Sequence, residues 1–114
     1  MDAEEFIKKL LTLAPKLKLP YQQHLEDNGK LLPHVFMGDV TRFIISEVES
    51  GVGSQDVNNL LNYFEDALAT GDKDIENLIS VSFVENLIGE EKTINFIKPQ
   101  SGPRLKLLME SILK

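Results

Sequence analysis

The chain has no cysteine and no tryptophan, and only two histidines and two tyrosines in 114 residues. Without cysteine there is neither a disulfide framework nor a thiolate metal site, which fits a reducing compartment. Long apolar runs are also missing. No uncharged stretch is longer than that from Asn77 to Val84, which is interrupted by Ser80 and Ser82 and falls far short of the roughly 20 apolar residues of a membrane span. The first residues, Met1-Asp2-Ala3-Glu4-Glu5, are acidic where a secretory signal is basic. The expectation is a cytoplasmic protein with no membrane segment. At 42% hydrophobic and 26% charged residues, the composition is that of an ordinary globular domain, and the length suits one domain, residues 1–114.

Positive charge is scarce in the middle of the chain. From Glu47 to Glu91 there are eleven acids and one base, Lys73, a balance of −10, while the remaining residues carry +4, giving the total of −6. Phosphate binding needs clustered Lys and Arg, so nucleic acid is not an expected partner. A basic protein would be attracted to this block and steered toward it. The plainer reading is that the acids solubilise the outer faces of two helices.

What is present reads as helix throughout. Asp2 can cap a first helix carrying Phe6, Ile7, Leu10, Leu11 and Ala14 at helical spacing, and Pro15 should end it near Leu13. Lys16-Leu17-Lys18-Leu19 reads as a linker turn with two apolar anchors. A short helix over Tyr21 to Asp27 follows, closed by Asn28-Gly29. Pro33 starts a longer helix with a stripe of Val35, Phe36, Val40, Phe43, Ile44 and Val48, ended by Gly51 and Gly53; Gly38 inside it suggests a close approach. Ser54 caps a helix with Val57, Leu60, Leu61, Phe64 and Leu68 on one face. Gly71 stops that helix and Asp72 caps its antiparallel neighbour, whose apolar residues from Ile75 to Ile88 cover most of its circumference. Thr93 to Ile97 is a helical turn or two, or a short extended piece, and Leu105, Leu108, Met109, Ile112 and Leu113 mark a last amphipathic helix. The fold class is all-α: one compact bundle of about five to seven helices around a central helical hairpin.

Chemistry-bearing motifs are sparse. No serine lies in a Gly-x-Ser-x-Gly context, and Gly51-Val52-Gly53 follows a helix rather than a strand. The two histidines lack His-x3-His or His-Glu-x2-His spacing, so no cofactor or metal is implied. Asp39 and Arg42 can pair at i, i+3, whereas His34 lies about 140° from Asp39 around the helix. His24, Glu26, His34, Asp39 and Arg42 could converge between two helices, more simply as a structural clamp than as a catalytic constellation. Gly102-Pro103-Arg104 could hold an anion at the start of the last helix, or be a plain loop.

The segment His24-Leu25-Glu26-Asp27-Asn28-Gly29-Lys30-Leu31-Leu32-Pro33-His34-Val35-Phe36-Met37-Gly38-Asp39-Val40-Thr41-Arg42-Phe43 resembles the signature of a family of small bacterial helical proteins. The stretches Leu60 to Asp72, Asn77 to Leu87 and Gly102 to Leu105 resemble the same family. Its members look like the immunity partners of polymorphic or contact-dependent toxins, many of which are basic nucleases. The resemblance implies a protein that neutralises a toxin by stoichiometric binding rather than an enzyme. The contact face would draw on Asp56, Glu65, Asp66, Asp72, Asp74 and Glu76, with Tyr63 as an anchor. Two further readings stay open: a small metal-dependent or hydrolytic enzyme using the His24, His34 and Asp39 region, and a helical adaptor or homodimer.

Overall fold

Local signals at the helix ends set the order of elements. The computed structural model describes residues 1–51 and 55–113. Among them are seven α-helices and no strand: α1 (Ala3–Leu13), α2 (Lys18–Asn28), α3 (Pro33–Glu49), α4 (Gln55–Ala69), α5 (Lys73–Ile79), α6 (Glu91–Ile97) and α7 (Pro103–Ile112). The Asp2 carboxylate accepts the Glu5 N–H at 2.8 Å, and Asp72 accepts those of Asp74 and Ile75 at 3.0 and 3.1 Å, satisfying free donors of α1 and α5. Gly29 and Gly71, at φ +73° and +75°, close α2 and α4 in the left-handed conformation that a Cβ disfavours. Gly53 and Ser54, expected as a stop and a cap, lie outside the described residues.

Several expected boundaries shift. Lys16 to Leu19 is not a linker: a single 3-10 turn, Pro15–Leu17, leads directly into α2, with Pro20 in its first turn. Of the two expected anchors, Leu17 is buried and Leu19 is exposed. Residues 91–97 resolve as helix rather than extended chain. Val35, placed on the buried stripe of α3, faces solvent, and Met37 and Thr41 are buried instead.

The largest departure is in the central helix. Beyond Ile79 the helical path continues as a π-helical turn, Ser80–Val84, and then a 3-10 turn, Glu85–Leu87. A π turn holds more residues than an α turn and so rotates the residues that follow. Ser82, Phe83, Val84 and Leu87 consequently point inward, while Val81 and Ile88, expected in the core, are exposed. The turn packs against α3, α5 and α7.

The core is built around a chain of rings. Phe6 of α1 stacks on Tyr63 and Phe64 of α4 at centroid distances of 5.1 and 6.0 Å, and Phe64 meets Phe83 of the π turn at 4.9 Å. Phe6, Phe64 and Phe83 are wholly buried, each contributing about 1.5–3 kcal/mol by its transfer from water. Helix α2 is the exception: the one residue it buries is a histidine.

Candidate functional site

Two regions hold the residues that sequence singled out. In the first, α3 packs against both α2 and the π turn. His24 is enclosed, its ring edge-on to Phe36 at 5.6 Å, and its Nε2 accepts the Leu32 N–H at 2.9 Å. A neutral imidazole with Nε2 accepting carries its proton on Nδ1. The Nδ1 edge lies 3.3 Å from the Asn28 amide nitrogen and 3.9 Å from Asp39 Oδ2, and the same Asn28 amide donates to the His24 carbonyl at 2.9 Å. Asp39 turns its other oxygen to Arg42, forming the expected i, i+3 pair. The ring thus ties the loop before α3 to α2, and its one lone pair is already engaged.

His34 does not join this group. Its Nδ1 shares a 2.6 Å hydrogen bond with the hydroxyl of Ser82, on the π turn. The Thr41 hydroxyl divides its proton between the carbonyls of Met37, 2.8 Å away, and Ser82, 2.9 Å away, and the Asn86 amide donates to the same Ser82 carbonyl at 2.8 Å. The carbonyl that a widened helical turn would leave poorly satisfied is thereby doubly capped. Gly38 is buried where a Cβ would stand 3.6 Å from the Arg42 guanidinium and 3.9 Å from the Asn86 amide, contacts of ordinary length. Glu26 is exposed and outside both groups. Of the five residues expected to converge, the structure brings together His24, Asp39 and Arg42. Ser82, Thr41 and Asn86, which join them in bracing α3, carried no sequence signal beyond lying in the quoted segments.

Chemically, this region is occupied with holding helices. A hollow of about 240 Å³ opens beside it, lined by Pro20, Gln23, His24, Asp27, Asn28, Val35 and Asp39. The Ser82–His34 contact has the reach of a nucleophile–base pair, but the serine is 5% exposed and its backbone is fixed by Thr41 and Asn86. Among the described residues, no three His, Asp or Glu side chains gather as a metal-holding group.

The second region is the α4–α5–α7 side, and its acids divide into two kinds. Glu65, expected to face outward, instead reaches the start of α7. Its carboxylate accepts the N–H groups of Leu105 at 2.9 Å and Arg104 at 3.2 Å, with the Arg104 guanidinium at 3.4 Å. The anion held by Gly102-Pro103-Arg104 is therefore the protein's own. Gly102 stands at the N-cap with no side chain to offer, and a Cβ there would lie 2.5 Å from the Glu65 side chain. Asp72 is likewise engaged as the cap of α5. Asp66 and Asp74 are exposed, and Asp56 and Glu76 are half-buried. Tyr63 is half-buried against Phe6, and burial, followed by the charge of Glu5, raises its phenol above the ordinary tyrosine value.

Between α4, α5 and α7 runs a shallow groove of about 390 Å³, lined by Leu68, Glu76, Arg104, Leu107, Leu108 and Ser111. Leu107 is 68% exposed, a large apolar side chain on a face the helical pattern leaves to polar residues. No helix among the described residues is long and apolar enough to cross a membrane.

Residues 7–114 match the model of a domain family of unknown function, DUF7674, and the chain belongs to that family. No curated protein and no solved structure matches it.

Proposed function

We propose that this member of the DUF7674 family acts by binding a basic protein, as an immunity protein that neutralises a toxin by stoichiometric, non-catalytic occlusion. The observation that carries this reading is the disposition of the acidic block. Asp66, Asp74, Glu85 and Glu91 are all exposed, and among the described residues no lysine or arginine lies within ion-pair distance of them. Exposed acids without paired cations speed encounter with a cationic partner and repel nucleic acid. Glu65 and Asp72 belong to the scaffold in this reading, which narrows the contact set to Asp56, Asp66, Asp74 and Glu76, with the Tyr63 edge beside them.

The polar centre supports the same reading from the other side. His24, Asp39, Arg42, Thr41 and Asn86 are engaged with one another and with backbone. The test is genetic and then physical. The product of the adjacent reading frame is expressed alone and together with this chain. Arrest of growth in the first case, relief in the second and recovery of an equimolar complex support the proposal. A harmless neighbour, or relief without a complex, contradicts it.

A hydrolytic reading has one observation in its favour, the 2.6 Å contact between His34 Nδ1 and Ser82 Oγ. An active-site serine probe, with His34→Ala as control and metal analysis of the purified protein alongside, separates it. No labelling of Ser82 and no bound metal would retire that reading.

A further inference from the structure

We infer that the groove between α4, α5 and α7 seats a protein segment in which an apolar side chain stands next to a lysine or arginine. This deepens the reading of a basic protein partner and rests on it. The floor supplies the apolar half: Leu68, Leu107 and Leu108 present a hydrocarbon surface, and Leu107 stands 68% exposed among the described residues.

The rim supplies the sign of the charge. Arg104 lines one side, but its guanidinium is compensated by Glu65 at 3.4 Å, and Glu65 is fixed by two backbone N–H groups of α7. Glu76 lines the opposite side, and its contact with Lys73 is loose: 4.0 Å, with the Lys73 side chain 89% exposed. An exposed pair of that kind contributes little and yields readily to a better-placed cation. Asp74, two positions before Glu76 and so about 200° around the helix from it, is exposed and adds only to the general negative charge of the first turn of α5. The uncompensated charge at the groove is therefore negative, and it lies within a side chain's length of an apolar floor. An amphipathic occupant, apolar toward Leu107 and cationic toward Glu76, satisfies both, and such small desolvated anchors carry most of an interface's energy. An acidic or purely polar segment satisfies neither.

The probe is a phage-displayed random peptide library selected against the intact protein, with binding followed by amide chemical shifts. The expected consensus pairs Leu, Ile, Phe or Met with Lys or Arg, and its shifts map to Leu68, Glu76, Leu107 and Leu108. Leu107→Asp, on an exposed position that leaves the fold intact, should weaken that binding roughly tenfold or more. Selection against Glu76→Lys should replace the cation of the consensus with Asp or Glu. Binders that map elsewhere, a consensus indifferent to Glu76→Lys, or no selectable binders at all would overturn the inference. So would wild-type self-association abolished by Leu107→Asp, since the occupant would then be a second copy. The broader reading is tested separately. A toxin neutralised equally well by Leu107→Asp refutes the groove alone, whereas failure to bind any neighbouring gene product refutes the basic-partner reading itself.

Discussion

The α2–α3–π side and the α4–α5–α7 side use polar residues for opposite ends. On the first, the polar groups where the helices meet are matched within the fold: one histidine caps a loop, one threonine shares its proton between two carbonyls, and one asparagine supports the same turn. On the second, two acids cap helices, Asp66 and Asp74 extend into solvent, and Glu76 shares a groove with an exposed leucine. A buried, satisfied network fixes one arrangement of helices and has nothing left to offer a partner. An exposed acidic face adds little stability but strongly affects encounter rates. On the function proposed above, the motif-rich part of this chain is its scaffold, and the part with the plainer sequence is the side that would bind.

The comparison breaks first if the brace proves dispensable. His24→Ala removes a buried ring and leaves the Leu32 N–H without its acceptor, and should cost about 2–4 kcal/mol in urea unfolding. Thr41→Val keeps the shape but withdraws the proton shared by Met37 and Ser82, for about 1–2 kcal/mol. A neutral result for both would mean that the network is incidental. Next comes the join between the two sides. Gly102→Ala forces the Glu65 carboxylate off the start of α7 and should cost about 1 kcal/mol. In a Glu65→Ala background the same change should be nearly silent, and Gly102→Ser should restore the cap from its own side chain, so a double-mutant cycle isolates the coupling. Asp66→Lys, Asp74→Lys and Glu76→Lys together should cost no more than about 1 kcal/mol, chiefly from charge reversal in the first turn of α5. The smallest effect is alkaline. The Tyr63 phenol is raised in the folded state, so the unfolded chain releases its proton first and stability declines as pH rises past the ordinary tyrosine value, a slope that Tyr63→Phe removes.

These regions also differ in how well they could be read in advance. Asp2, Gly29, Gly71 and Asp72 act within a few residues of themselves, so caps and stops were visible from spacing. The π turn was not, because it is set by contacts from another helix: Thr41 to the Ser82 carbonyl and His34 to the Ser82 hydroxyl span 41 and 48 residues. Reading the segment as a plain α-helix placed Val81 and Ile88 inside. Glu65 appeared as one more outward acid for the same reason, since its true partner at Leu105 lies 40 residues on. Of the polar cluster, the Asp39–Arg42 pair followed from helical spacing, but the separation of His34 from His24 depended on where Ser82 comes to rest. Leu107 was invisible in another way: pattern assigns inward faces, and a lone apolar residue on the outer face reads as noise until a groove is seen beside it.

The most direct measurement is the association rate with the adjacent reading frame's product, followed across a range of ionic strength. It compares the wild-type chain, Asp66→Lys/Asp74→Lys/Glu76→Lys, and His34→Ala. If binding belongs to the acidic side and the motif side is scaffold, the triple variant associates roughly tenfold more slowly at low salt and loses most of its salt dependence. His34→Ala, corrected for any loss of folded protein, then keeps the wild-type rate. A triple variant that binds as fast as wild type, or a folded His34→Ala that no longer binds, would contradict the account.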